Sequence, residues 1–195
     1  MKFVAAAAMT LSIFTFQPVH AEEANMQKNV QMVAPGLERY TETTLLGEVW
    51  KRPGLSARDR SIVTLAALIA RNQTVEMPFY LGLALDNGVK PREISEIITH
   101  LAFYSGWANA MSAATIAKDV FVARHIGSDQ LPAVVPMAPL PLDEAGEARR
   151  AANVEQQFGA VAPGVVHYTT ESLFRDLWLR PDWHRATAAW SRSVR

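Results

Sequence analysis

The chain is 195 residues long, contains no cysteine, and balances 19 Lys and Arg against 19 Asp and Glu. Without cysteine there is no disulfide, no thiol chemistry and no Cys-ligated metal. The even balance conceals a mildly acidic body, because positions 22–182 hold 15 basic and 19 acidic residues, which offers none of the basic surface that nucleic-acid binding requires.

In chain order, residues 1–21 have one Lys, an apolar run from Phe3 to Phe16 and small residues at Val19 and Ala21. This pattern predicts a signal peptide cleaved before Glu22 and a periplasmic or secreted mature protein. The run is too short to span a bilayer, and no membrane contact is expected after cleavage. Leu37 to Trp50 carries apolar residues at near-helical spacing and is predicted to be a helix ended by Pro53-Gly54. Ser56 followed by Asp59 marks the start of the next helix, through "SIVTLAALIA". A helix from Glu76 to Asn87 is stopped by Gly88, another opens at Pro91, and Ser105-Gly106 separates it from an Ala-rich helix running from Trp107 to about Val122. Nothing reads as a strand.

The composition changes at Gly127, where four prolines through Leu142 mark an extended linker. A polar helix is expected from Asp143 to Phe158. Then "APGVVHYTTESLFRDLWLRPD" (162–182) repeats "APGLERYTETTLLGEVWKRPG" (34–54), with nine identities in 21 positions, Tyr40 matching Tyr168 and Trp50 matching Trp178. This reads as an internal duplication. The domain reading is therefore a signal peptide at 1–21, a first repeat at 22–126, a linker at 127–142, a partial second repeat at 143–182, and a tail at 183–195. Read one base earlier, the codons of that tail are compatible with L-A-P-R-D-R-S-L-V-T-V, close to the "LSARDRSIVTL" that follows Gly54. The tail is thus expected to be out of frame and poorly packed, and the apolar face from Val165 to Leu177 to lack its cover.

The stretch "ALDNGVKPREISEIITHLAFYSGWANAMSAATIAKDVF" (84–121), with "LSARDRSIVTLAALIA" upstream, resembles the carboxymuconolactone decarboxylase family, which includes the AhpD-type alkylhydroperoxidases. The resemblance implies an all-α helical bundle, and a cofactor-free, metal-free lyase or isomerase acting on a small carboxylated, lactone-like substrate by general acid/base chemistry. The alternative is a non-catalytic helical packing module that keeps the scaffold.

His100 is the candidate proton carrier, with Glu96 one turn earlier able to orient or charge it; the plain reading is a partly exposed helix pair. Glu76 opens a helix, where a carboxylate also suits the dipole, and the resemblance implies that a catalytic Glu or Cys belongs near this point. Tyr80 stands where the decarboxylase branch commonly has His, and it donates a hydrogen bond but is a poor base. Arg58 and Arg60 are candidates for holding a substrate carboxylate, or surface or subunit contacts. Tyr104 and Trp107 flank the Ser105-Gly106 break and either line a pocket or pack the core.

The positions matching the thiol-peroxidase branch read Ser61, Gln73, Glu76 and Tyr80, so peroxidase chemistry is excluded for want of a thiol. His125 and His167 lack neighbours at ligand spacing, and no metal site is expected. Short helices with heavily apolar faces predict a homo-oligomer.

Overall fold

The computed structural model describes residues 28–136 and 138–187, with Arg185 and Thr187 described by their backbones alone. The expected signal peptide and the last eight residues of the tail lie outside the described residues. Within them the chain is all helical, and no helix is long and apolar enough to cross a membrane.

Four helices form the core: α2 (Ala57–Ala70), α3 (Met77–Asp86), α4 (Pro91–Ser105) and α5 (Trp107–Ala123). Helix α1 (Pro35–Tyr40) precedes them, and α6 (Glu144–Phe158), α7 (Pro163–Tyr168) and α8 (Pro181–Thr187) follow the linker. Local chemistry explains the boundaries. The Ser56 hydroxyl accepts from the Asp59 amide at 3.1 Å and donates to its carboxylate at 2.7 Å, starting α2. Pro91 opens α4, and the Glu93 carboxylate reaches back to the Lys90 amide at 2.8 Å. Gly88 (φ 88°) and Gly106 (φ 108°) sit in backbone conformations that side chains disfavour, one turning the chain after α3 and the other separating α4 from α5.

The core is where these helices bury Leu65, Ile69, Met77, Leu81, Ala84, Ile94, Ile97 and Ala113, with Val89 in the α3–α4 turn. Helix α2 packs on α3, α4 and α5, while α5 packs on α3 and α4. At this density, cutting a fully buried Leu such as Leu65 to Ala costs about 2–5 kcal/mol.

The segment expected as one helix over 37–50 is broken into three pieces. After α1 come a π turn, Thr41–Leu46, and a 3₁₀ turn, Val49–Lys51. The Thr43 hydroxyl donates to the Arg39 carbonyl at 2.7 Å, and such back-bonding among β-branched threonines loosens an α ladder. The π turn brings the Thr43 carbonyl against the place a Cβ on Gly47 would take, so a side chain there would require the backbone to shift.

The same three pieces recur. Helix α7 is followed by a π turn, Thr169–Phe174, and a 3₁₀ turn, Leu177–Leu179, each boundary lying 128 residues after its counterpart. The cap before each helix has the same backbone shape, φ −142°, ψ 64° at Ala34 and φ −148°, ψ 65° at Ala162. These two stretches are called strap one (35–52) and strap two (163–180). Strap one is tied to its own core by Arg60, which donates to the carbonyls of Val49, Arg52 and Leu55.

Strap two is tied to the linker, the Leu140 amide donating to the Leu179 carbonyl at 2.8 Å. It is braced from α6 by a bidentate Arg150–Glu147 pair at 2.6 and 2.7 Å, with the Arg150 guanidinium 4.2 Å above the Phe174 ring. Those contacts hold the Glu147 carboxyl below the usual carboxylate range, the Arg150 hydrogen bond being the main cause.

The expectation of poor packing after Asp182 fails over residues 183–187. They form most of α8, which packs on α4, with Ala186 buried and Trp183 against the core. The face expected to be bare is so only at its start, Val165 being 48 % exposed and Leu177 3 %.

Candidate functional site

The sequence-predicted residues fall into two groups. Tyr80 lies on α3 and His100 on α4, and these helices do not pack extensively on each other; each leans on α2 and α5.

The first group gathers at the start of α3. Glu76 is the N-cap residue, exposed, and its side chain makes no capping hydrogen bond. Tyr80, one turn on, is half-buried; its ring stacks on Trp50 of strap one at 5.9 Å and meets Phe79 edge-on at 5.0 Å. Burial, and secondarily the Glu76 charge, raises the Tyr80 pKa above its ordinary value. The phenol therefore remains a proton-bearing donor at neutral pH, beside a solvent-exposed carboxylate.

Arg58 and Arg60 do not join this group as carboxylate binders. Arg58 is paired with Asp59 at 3.2 Å and with the buried Glu93 at 2.6 Å, and reaches the Ala186 carbonyl at 3.5 Å. Arg60 spends both terminal nitrogens on strap one. A helix start crowded with carbonyls and acids claims both guanidinia for structure, a competition that residue spacing does not reveal.

The second group lies on α4, under strap two. Glu96 and His100 are each 1 % exposed, so they form a buried pair, His100 Nδ1 lying 3.9 Å from the Glu96 carboxylate, and not a partly exposed one. Arg180 grips the Glu96 carboxylate through Nε (2.8 and 3.0 Å) and Nη2 (2.6 Å). Its Nη1 and Nη2 also donate to the carbonyls of Val134 and Ala133 in the linker at 3.0 and 3.1 Å. One guanidinium thus joins core, linker and strap. The Glu96 hydrogen bonds, more than the burial that opposes them, raise the Arg180 pKa further.

His100 Nδ1 donates to the Glu96 carbonyl at 3.0 Å, which leaves Nε2 as a bare acceptor. Nε2 is buried with no hydrogen-bond partner among the described residues. Trp183 stacks on the imidazole at 3.8 Å between centroids and Trp178 meets it edge-on at 5.9 Å. Burial lowers the His100 pKa to about 4; the Glu96 carbonyl opposes this, and the Arg180 charge adds to it. The ring is neutral at neutral pH and sealed by two tryptophans, where no substrate reaches it in this conformation.

Tyr104 is exposed and accepts a hydrogen bond from Trp178 Nε1 at 2.7 Å, while Trp107 packs edge-on to Phe103 on the surface. Gly106 separates them. A cavity of about 380 Å³ lies beside Trp178, lined by Leu142, Phe174 and Leu179 and by the polar Glu147, Arg150 and His184; none of the sequence-predicted residues lines it. No cluster of metal-binding side chains occurs among the described residues. Trp178, Arg180 and Trp183 were not singled out from the sequence, although the doubled W-x-R-P (Trp50–Pro53, Trp178–Pro181) was visible as a repeated signal.

Two curated relatives share the central region. The chain is 40% identical over 75 residues to a protein named 4-carboxymuconolactone decarboxylase from Acinetobacter baylyi, covering 38% of this chain and 56% of the relative. It is 36% identical over 84 residues to nitrosuccinic acid decarboxylase npaB from Metarhizium robertsii, covering 43% and 58%. The chain thus spans little more than half the length of either relative. Strap one and the four core helices, residues 35–119, match the model of the Carboxymuconolactone decarboxylase family.

Proposed function

We propose that this protein is a carboxymuconolactone decarboxylase-like lyase that removes or shifts a carboxyl group on a small acid without metal or organic cofactor, using Tyr80 and Glu76. The observation that carries the reading is the adjacency of a pKa-raised phenol and an exposed carboxylate at one helix start, in the segment the decarboxylase likeness covers. In such a reaction the bond to the carboxylate breaks, carbon dioxide leaves, and the electron pair moves into an electron-withdrawing group. Tyr80 O–H donates to the oxygen on which that charge develops. Glu76 exchanges the proton that must reach the substrate carbon. Both relatives carry names of carboxylated substrates, a lactone and a nitro diacid, which suits this class.

His100 has a supporting part in this proposal: neutral, aromatic-capped and bonded to its own helix, it shapes α4 and does not carry protons. The matching straps support reading residues 163–182 as a partial copy of residues 35–54, and the signal-like first 21 residues support export.

A second reading, a packing module without chemistry, is favoured by one observation. Arg58, Arg60, Glu96 and His100 are all committed to internal contacts. Thermal stabilisation by a panel of small lactones and unsaturated or nitro-substituted acids separates the two. Selective stabilisation, followed by carbon dioxide release, supports the lyase. A panel in which no acid raises the melting temperature leaves the packing module.

A further inference from the structure

We propose that the cavity of about 380 Å³ beside Trp178 is a binding site for a neutral, apolar small molecule carrying one carbonyl acceptor, such as an aryl ketone or ester. It is separate from the Glu76–Tyr80 site and does not depend on the reading given to that site. Its lining residues, from Leu140 to His184, all lie beyond the family match at 35–119.

Three parts of the chain meet around it. The linker supplies Leu140 and Leu142, strap two supplies Phe174, Trp178 and Leu179, and α6 supplies Glu147 and Arg150. They are tied to one another, the Leu140 amide donating to the Leu179 carbonyl at 2.8 Å and Arg150 Nη2 to the Thr170 hydroxyl at 3.0 Å. The volume falls within the range of small-ligand pockets, roughly 300–1,000 Å³. The three leucines and two aromatic rings are only partly buried, so a guest takes apolar surface out of water. The two straps show what distinguishes these walls. Phe174 and Leu179 stand where strap one has Leu46 and Lys51, so strap two lines the cavity with apolar groups at a position that is cationic in the first copy.

Arg150 decides the chemistry of the ligand. Its Nε and Nη2 are spent on Glu147 and Thr170, whereas Nη1 is buried without a hydrogen-bond partner among the described residues. A buried donor left unmade costs free energy that an acceptor recovers. The acceptor is neutral, because Glu147 already matches the guanidinium charge and the lining adds a second acid, Asp143. A carboxylate would meet two like charges, and a simple cation would bring no acceptor. His184 Nε2 is itself occupied, donating to the Trp178 carbonyl at 2.9 Å. An apolar body with one carbonyl fits this lining; the acids suited to Glu76 and Tyr80 do not.

Ligand-observed NMR on the full chain tests this with 2-acetylnaphthalene and 2-naphthoate, which match in ring and size and differ in charge. The ketone should bind with a Kd on the order of 0.1–1 mM, as expected of a fragment of its size, and the carboxylate at least about tenfold more weakly. Arg150→Lys should weaken the ketone by about three- to tenfold, the worth of one hydrogen bond. Leu179→Lys, which puts back the strap-one residue, should weaken the ketone and narrow or reverse its advantage over the carboxylate, a change that loss of packing alone does not produce. Circular dichroism checks the helical content of each variant, and if Arg150→Lys does not fold, the ketone-to-carboxylate ratio of Leu179→Lys decides. Tyr80→Phe should leave ketone binding unchanged, so that failure of the decarboxylase reading leaves this result standing. No ketone binding, a preference for the carboxylate, or ketone binding indifferent to a folded Arg150→Lys overturns the proposal. So does a ratio unmoved by Leu179→Lys, or binding lost in Tyr80→Phe.

Discussion

Trp183 lies face to face with His100, centroids 3.8 Å apart and planes 15° from parallel. The stack makes α8 a lid on the imidazole, and it accounts for much of the burial that holds His100 neutral. Replacing Trp183 by Ala should open the ring to water and move its pKa from about 4 back toward 6.5. Imidazole proton shifts followed by NMR across pH 3.5–7.5, roughly the span of both values, read this directly. Trp183 is only partly buried, so the stability cost should fall below the ~3–5 kcal/mol of a fully buried tryptophan.

The same group gives the fold a pH dependence whose sign is determined. The folded-state pKa of about 4 lies below the ordinary 6.5, so in the interval between them the unfolded chain binds a proton that the folded chain refuses. Stability should fall as pH drops from about 6.5 to about 4, level off below that, and lose on the order of 3 kcal/mol at most, at 1.36 kcal/mol per pH unit. Arg180 and His184 add to the cost of charging the ring. Glu147, whose carboxyl is held low by Arg150, loses its contribution in more acid solution still. Urea unfolding of His100→Gln should therefore be flat between pH 6.5 and about 4.5, where the unaltered protein slopes.

Much of this was legible in the sequence. The α2 start at Ser56, the turn at Gly88, the Pro91 opening and the break at Gly106 follow from capping and backbone rules, and the core helices lie within a residue or two of their expected ends. The π turn was not legible, because Thr41 to Leu46 carries the same apolar spacing in a loosened helix as in an α-helix. The site was legible only in part. Tyr80 and Glu76 share a helix turn, a relationship that spacing exposes; His100 is sealed by residues 78 and 83 positions later in the chain, a relationship that depends on where strap two and α8 dock. Arg58 and Arg60 illustrate the same limit, since their partners Glu93, Val49 and Arg52 come from other elements.

Arg180→Ala should be among the most destabilising single changes in the described chain. It leaves Glu96, 1 % exposed, as a buried carboxylate without its cation, and breaking such a pair costs about 3–5 kcal/mol. The Ala133 and Val134 carbonyls lose their donor as well, so the linker should become more susceptible to proteolysis than in the unaltered chain. Glu96→Gln should cost less, because the amide still accepts from Arg180 while removing the buried negative charge. Equal costs for the two changes would show that the contact depends on the carboxylate's charge and not on its acceptor geometry.

The catalytic reading makes its sharpest demand on Tyr80. Its hydroxyl has no hydrogen bond to a described residue that the fold needs, while the ring does the packing against Trp50 and Phe79. Tyr80→Phe keeps the ring and removes only the donor, so the melting temperature should hardly change. If the phenol donates to the charge that develops as carbon dioxide leaves, turnover of the acid that stabilises the protein should fall by about 10²–10³-fold, the cost of losing one preorganised donor. KM should move little, because that donation strengthens in the transition state. Glu76→Gln separates the proton-handling role from the helix role. The exposed carboxylate at the start of α3 is worth only about 0.3–1 kcal/mol to the helix, whereas loss of a proton carrier costs about 10²–10⁴-fold in rate. A Tyr80→Phe protein with unchanged turnover would remove Tyr80 from the chemistry. Unchanged turnover in both variants would move the site elsewhere on the chain.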